Sequence, residues 1–312
     1  MIDRNVLEKK FSVGLCLNES MEDIRSFFEK NHRYLNSVYF SLPLGMRFFS
    51  RESLANEYDN NDNKLFDVLS MISYFGIRRE MAINTWNLTK EELDQAIDYC
   101  KTKNLLPEEI VCLRNYGDVF RTEFPDAEIK YSVNNSESDG KYITKAFDTL
   151  VAGKGLLRDM TARHFYIEQG YNITLLLNNG CLSICNTDCD SIQCHRYFDY
   201  MINEHGLDYV YALCSFFPSE FKALLEHDKY AKLYKFKISN RPLGLLYTQQ
   251  VLDAYLGLED DYEAMRNDYR KMALFSTVHP LAIRLQNVNL QNVSEQKTKW
   301  IMELKNGTDW ET

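Results

Sequence analysis

Residues 172–181 read NITLLLNNGC. The run Asn172–Leu177 carries no charge and is mostly aliphatic or β-branched, the composition of a strand buried on both faces. Asn178, Asn179 and Gly180 supply turn chemistry directly after it, and Cys181 follows at once. A strand of this kind belongs in a parallel sheet, so the rest of the chain must supply its neighbours.

It does so on both sides. Upstream, Phe11–Leu17, Ser37–Leu42, Met81–Asn84, Ile110–Leu113, Glu128–Val133 and Thr149–Ala152 read as strands, and downstream Leu233–Ile238 does. Helical patterns fall between them at Met21–Phe28, Lys64–Phe75, Lys90–Lys103, Gly117–Glu123, Tyr142–Phe147, Met160–Gln169, Cys194–Glu204 and Pro218–Leu225, with Tyr247–Leu256 last. Leu65, Val68, Leu69 and Ile72 share one helical face, and Thr89 is placed to cap the helix that carries Glu91 and Glu92 in its first turn. Repeated βα units favour a parallel α/β sheet, and eight of them close a (β/α)8 TIM-type barrel, with room for irregularity. An open doubly wound sheet is the alternative if one strand is miscounted. The expected domains are a barrel over 1–257 and a C-terminal helical or loop extension over 258–312, where the pattern stops and polar stretches such as NVNLQNVSEQ begin.

The chain has 312 residues, 45% of them hydrophobic, with a net charge of −9. Bulk binding to a phosphate backbone is disfavoured by that charge. The alternating signs along the chain read mostly as a solvated surface. No apolar run has the length of a membrane span and the N-terminus lacks a secretory apolar core, so the expected location is the cytoplasm.

Five of the eight cysteines, Cys181, Cys185, Cys189, Cys194 and Cys214, crowd into one stretch, where even spacing predicts about one. A reducing compartment argues against disulfides, and thiolates this close repel one another unless a cation compensates them. The C-x3-C-x3-C-x4-C spacing suits an iron–sulfur cluster better than zinc, which is the runner-up; unligated thiols are the third reading. Cys181, Cys185, Cys194 and Cys214 are the expected ligands, with Cys189 as alternate; a helix N-terminus at Cys194 favours thiolate. Cys16, Cys100 and Cys112 read as core residues.

In a barrel, chemistry sits where strands end. Asn84, Asn115, Asn178 and Arg241 lie at such ends and are candidates for substrate binding, Arg241 for a carboxylate or phosphate. Asparagine is also favoured at any strand-to-loop junction, an equally weighted reading. Glu19, Asp159 and His195 are candidate acids or bases. No Gly-x-Ser-x-Gly or His-Glu-x-x-His occurs, and the six histidines are scattered.

The stretches DTLVAGKGLLRDM and GYNITLLLNNGCLSIC, followed by CSFFPSEFKALLEHDKYAKLYKFKISNRP, resemble the collagenase-like peptidase family, U-thirty-two. Its Asn-x-Gly-Cys strand end falls on Cys181, a second cysteine on Cys185, and its Phe-Lys-Ile-x-x-Arg segment on Lys237 and Arg241. The resemblance implies a barrel carrying a [4Fe-4S] cluster and an oxygen-independent hydroxylase-type redox activity on a small-molecule or peptide-like substrate. Alternatives are a peptidase and a non-catalytic cluster-bearing subunit with a protein partner. Asn186 stands where the family has proline, and Cys189 and Cys194 fall in an insertion.

Overall fold

The structure, a computed structural model, describes residues 4–44, 62–85, 87–133, 142–152, 154–178, 191–214, 216–239, 244–258 and 287–306, without the side chains of 62, 154, 155 and 191–195. Eight parallel strands close into a barrel in sequence order. They are β1 Phe11–Gly14, β2 Leu35–Phe40, β3 Arg78–Ile83, β4 Glu109–Cys112, β5 Glu128–Tyr131, β6 Thr149–Ala152, β7 Asn172–Leu176 and β8 Lys235–Lys237. The expected (β/α)8 architecture is therefore present, and the open sheet is excluded by the β1–β8 pairing, where Phe11 stands opposite Phe236.

Each strand has two faces, and the register sorts their side chains. Outward, Ile83, Cys112, Tyr131, Leu150 and Ile173 line up across five strands, and Leu175, Phe236 and Phe11 continue the belt. This belt is wholly buried against the helices. Inward, the same alternation presents Ser12, Ser37, Glu80, Glu109, Lys130, Thr149, Thr174 and Lys237, all buried. Strands of a parallel barrel ordinarily carry apolar side chains on both faces; here one face is ionic.

The helices are α1 Met21–Asn31, α2 Asp62–Tyr74, α3 Lys90–Thr102, α4 Gly117–Glu123, α5 Lys154–Arg158, α6 Met160–Glu168, α7 Ser191–His205, α8 Leu207–Cys214, α9 Pro218–His227, α10 Gly244–Gly257 and α11 Leu290–Lys305. Thr89 caps α3 through a capping box with Glu92. Asn31 of α1 donates to Gln249 of α10 at 2.6 Å, which closes the outer ring of helices as β1–β8 closes the inner one.

Two sequence readings are corrected, and one helix was not read at all. Tyr142–Phe147 is not a helix: Ile143, Ala146 and Phe147 are spaced like one, but Phe147 turns inward to pack on Tyr131 at 5.1 Å, directly over Gly117. Leu233 belongs to a 3-10 turn, Ala231–Leu233, ahead of β8. Helix α8 escapes a periodicity reading because Val210 to Cys214 are buried without a break, leaving no polar face to mark it.

Helix α11 packs on α8 and α9. It buries Val293, Lys297, Trp300 and Leu304, one stripe at helical spacing. Lys297 meets Glu220 of α9, whose other oxygen receives Arg158 at 2.9 Å; all three are buried. No described helix is long and apolar enough to cross a membrane.

Candidate functional site at the C-terminal mouth of the barrel

The ionic interior forms the floor of the site. Glu80 on β3 accepts from Lys130 of β5 at 2.8 Å, from Ser37 at 3.0 Å and from Lys237 of β8 at 2.5 Å. Ser37 in turn shares a 2.6 Å hydrogen bond with Ser12. Lys130 also reaches Glu109. Glu109 then pairs with Arg78 at 2.6 Å and with Lys235 at 3.2 Å, and both cations also reach Glu128. Burial opposes ionisation of Glu109, yet Lys130, Lys235 and Arg78 overcome it and hold its carboxyl well below the ordinary range. Burial likewise opposes the charge on Lys130, and Glu109, Glu80 and Glu128 more than restore it. For these residues the structure corrects the reading of charge as solvated surface.

Above this floor the inner face becomes less polar. Gly14 stands in register with Tyr39. The Tyr39 ring lies 4.0 Å from Lys237 Nζ, and its hydroxyl donates to Ile238 O at 3.0 Å. Ala82, Val111, Val151 and Leu176 alternate onto the same face, buried but separate from the main apolar core. Two residues beyond Tyr39, Ala82, Lys130, Leu176 and Lys237 come Ser41, Asn84, Ser132, Asn178 and Ser239, whereas the apolar Leu113 follows Val111.

Asn178 is already engaged. Its Oδ1 accepts from Ser239 N at 2.7 Å, and its Nδ2 donates to Ser239 O and to Tyr247 Oη, both at 3.3 Å. This clasp ties the ends of β7 and β8 to α10 and fixes the point from which the chain leaves toward Cys181. Asn84 is different: its Oδ1 and the neighbouring Thr85 Oγ1 are buried and have no hydrogen-bond partner among the described residues. A ligand or water at this strand end would satisfy both oxygens.

The other expected residues are placed as follows. Asn115 is exposed in the 3-10 turn Arg114–Tyr116. Glu19 accepts from Leu245 N at 3.0 Å, at the start of α10 beside Gly244, whose φ of +85° leaves no room for a Cβ. Asp159 caps α6 through Ala162 N at 2.7 Å. Cys194 and His195 lie on the first turns of α7, and their side chains are outside the described residues. Cys181, Cys185, Cys189 and Arg241 lie outside them altogether.

Cys214 ends α8 and is buried. The adjoining carbonyls of α8 receive Arg158 Nη1 at Leu213 O, 2.7 Å, and Lys297 Nζ at Ala212 O, 2.9 Å. Arg158 and Lys297 thus place positive charge at a helix C-terminus that otherwise disfavours a thiolate, and both are shared with the Glu220 carboxylate. By contrast, burial alone pushes the Cys100 thiol up to about 12, and Cys100, Cys112 and Cys16 are core residues as expected. Among the described residues, no group of three or more His, Cys, Asp or Glu side chains is arranged to hold a metal ion.

The ionic floor went unread in the sequence. Its signal was the period-two interruption of the strands by charge in RREMAI, EIVC, EIKY and KFK.

No family model and no curated protein matches the chain. Among solved structures it is similar in fold to the U32 peptidase Mk0906, with a TM-score of 0.42 and 10% identity, over 74% of this chain and 92% of that one.

Proposed function

We propose that this chain is a barrel enzyme that binds a polar small molecule or a peptide-like substrate at the C-terminal mouth, beside an iron–sulfur cluster held by its clustered thiols. The observation that carries the first half is the pair of buried, unpartnered oxygens on Asn84 and Thr85. Leaving such acceptors unsatisfied costs about 1–3 kcal/mol each, and a ligand bearing N–H or O–H donors removes that cost. Asn84 and Thr85 then orient the ligand, and the Asn178–Ser239–Tyr247 clasp keeps the adjoining strand ends from shifting as it binds. Arg241 is the residue we assign to an anionic part of the substrate.

The second half rests on the spacing of the cysteines in the sequence. Cys181, Cys185, Cys194 and Cys214 would hold the cluster, with Cys189 as the alternate and zinc as the competing metal. When bound, a [4Fe-4S] cluster supplies one-electron chemistry of the kind an oxygen-independent hydroxylation requires. A reducing cytosol keeps such thiols available. Purification without oxygen tests this reading: brown protein with iron and acid-labile sulfide in near-equal amounts is expected. Colourless protein with one zinc per chain contradicts it.

A further inference from the structure

Among the described residues, the barrel interior sets four cations against three carboxylates. Glu80, Glu109 and Glu128 face Arg78, Lys130, Lys235 and Lys237. Arg78 and Lys235 each bridge Glu109 and Glu128, and Lys130 bridges Glu80 and Glu109. Among the described residues, Lys237 alone has a single oxygen acceptor, Glu80 Oε1 at 2.5 Å, together with the face of Tyr39. An ammonium has three N–H donors to place. The surplus therefore resides at Lys237.

Lys237 also differs from the others in position. The side chains of Arg78 and Lys235, 36% and 20% exposed, begin β3 and β8 and meet solvent at the N-terminal end of the barrel. Glu80, Glu109 and Lys130 are sealed at 0%. Lys237 is the last residue of β8, at the C-terminal end of the strand, and its side chain is 10% exposed beside the Tyr39 ring.

We propose that Lys237 is a nucleophilic amine that condenses with the carbonyl of an aldehyde or ketone entering through the mouth, with Glu80 carrying its proton. The inference deepens the reading of the mouth as a substrate site and rests on it, but does not depend on the cluster. Burial, with Lys130 adding to it and Glu80 and Glu109 opposing, pushes the Lys237 ammonium below its ordinary value, which favours the free amine. In the step, Glu80 Oε1 takes a proton from the ammonium. The freed lone pair bonds to the carbonyl carbon while the carbonyl electrons move to oxygen. One nitrogen proton passes to that oxygen, giving a neutral carbinolamine. Glu80 then returns its proton to the hydroxyl, which leaves as water, and a protonated imine forms. Its positive charge replaces that of the ammonium beside Glu80, so the ionic floor keeps its balance.

The test is reductive trapping on the intact, oxygen-free protein, with acetaldehyde as the probe, cyanoborohydride as the reductant and peptide mass spectrometry as the readout. Lys237 is expected to be ethylated several-fold faster at neutral pH than the exposed Lys229 or the sealed Lys130, with the preference lost in denaturant. Glu80→Gln should slow Lys237 specifically, and Lys237→Arg should leave every other lysine at its original rate. Modification of Lys237 no faster than Lys130 in the wild-type protein overturns the proposal, whatever the variants do. Iron is measured on the same preparation before trapping. Iron without the Lys237 adduct overturns the amine alone, and the adduct without iron overturns the cluster alone.

Discussion

Oε2 of Glu80 stands 2.8 Å from Nζ of Lys130, and neither side chain has any exposure. A buried pair adds little net stability over an apolar pair of the same shape, but removing one partner strands the other. In this barrel Glu80 compensates two lysines at once.

Glu80→Ala is therefore expected to destabilise the fold by about 3–5 kcal/mol. Ser12→Ala, which removes only the outer hydroxyl of the Ser12–Ser37 pair, should cost about 1 kcal/mol. Urea titrations of the two variants check this ordering.

Acid should unfold the protein through the same ionic groups. The carboxyls of Glu109, Glu128, Glu220 and Asp228 are all held low, with burial opposed and overcome by Lys130, by Lys130, by Arg158 and by Arg163 respectively. In acid the unfolded chain binds more protons than the folded one, so stability falls with pH. Their stabilisation is complete above the ordinary value of 4.5 for Glu and 3.8 for Asp, and is lost as pH drops through the lower folded values. Melting temperature should be flat from neutrality to about pH 5 and should fall steeply below it; a flat profile to strongly acid pH contradicts this.

Helix α11 should be integral to the barrel. Glu220→Ala leaves Arg158 and Lys297 buried without their carboxylate, an expected loss of about 3–5 kcal/mol. Lys297→Met keeps Arg158 paired with Glu220, so a smaller loss is expected. Denaturant unfolding of both variants tests the order.

Gly117→Ala isolates the packing that replaced a helix. A Cβ there meets Phe147 Cζ at 2.5 Å, and overpacking of this kind costs about 1–3 kcal/mol. Combining it with Phe147→Leu should recover much of the loss, which thermal unfolding measures.

How much of this was legible in the sequence follows from the range over which each interaction acts. Stretches such as Thr149–Ala152 and Asn172–Leu176 declare themselves because burial on both faces needs only local composition. Thr89 and Glu92 are three residues apart, so their capping box could be read directly. Glu80, Lys130 and Lys237 become partners only when the barrel closes, and before closure each looks like an ordinary surface charge. The same holds for Lys297 and Glu220, brought together by the docking of α11. At the mouth, Asn84 was readable as a candidate from its place at a strand end, but its lack of a partner is visible only in three dimensions. Asn178 was equally readable, and its clasp on Ser239 and Tyr247 was not.

The most direct measurement is the iron retained per chain, after oxygen-free purification, by Cys181→Ala and Cys214→Ala beside Cys100→Ala. Iron should be lost from the first two and fully kept in the third, whose thiol is sealed in the core by α3 and β3. Equal iron in all three, or none in the unmutated protein, contradicts the assignment of these thiols to a metal centre at the barrel mouth.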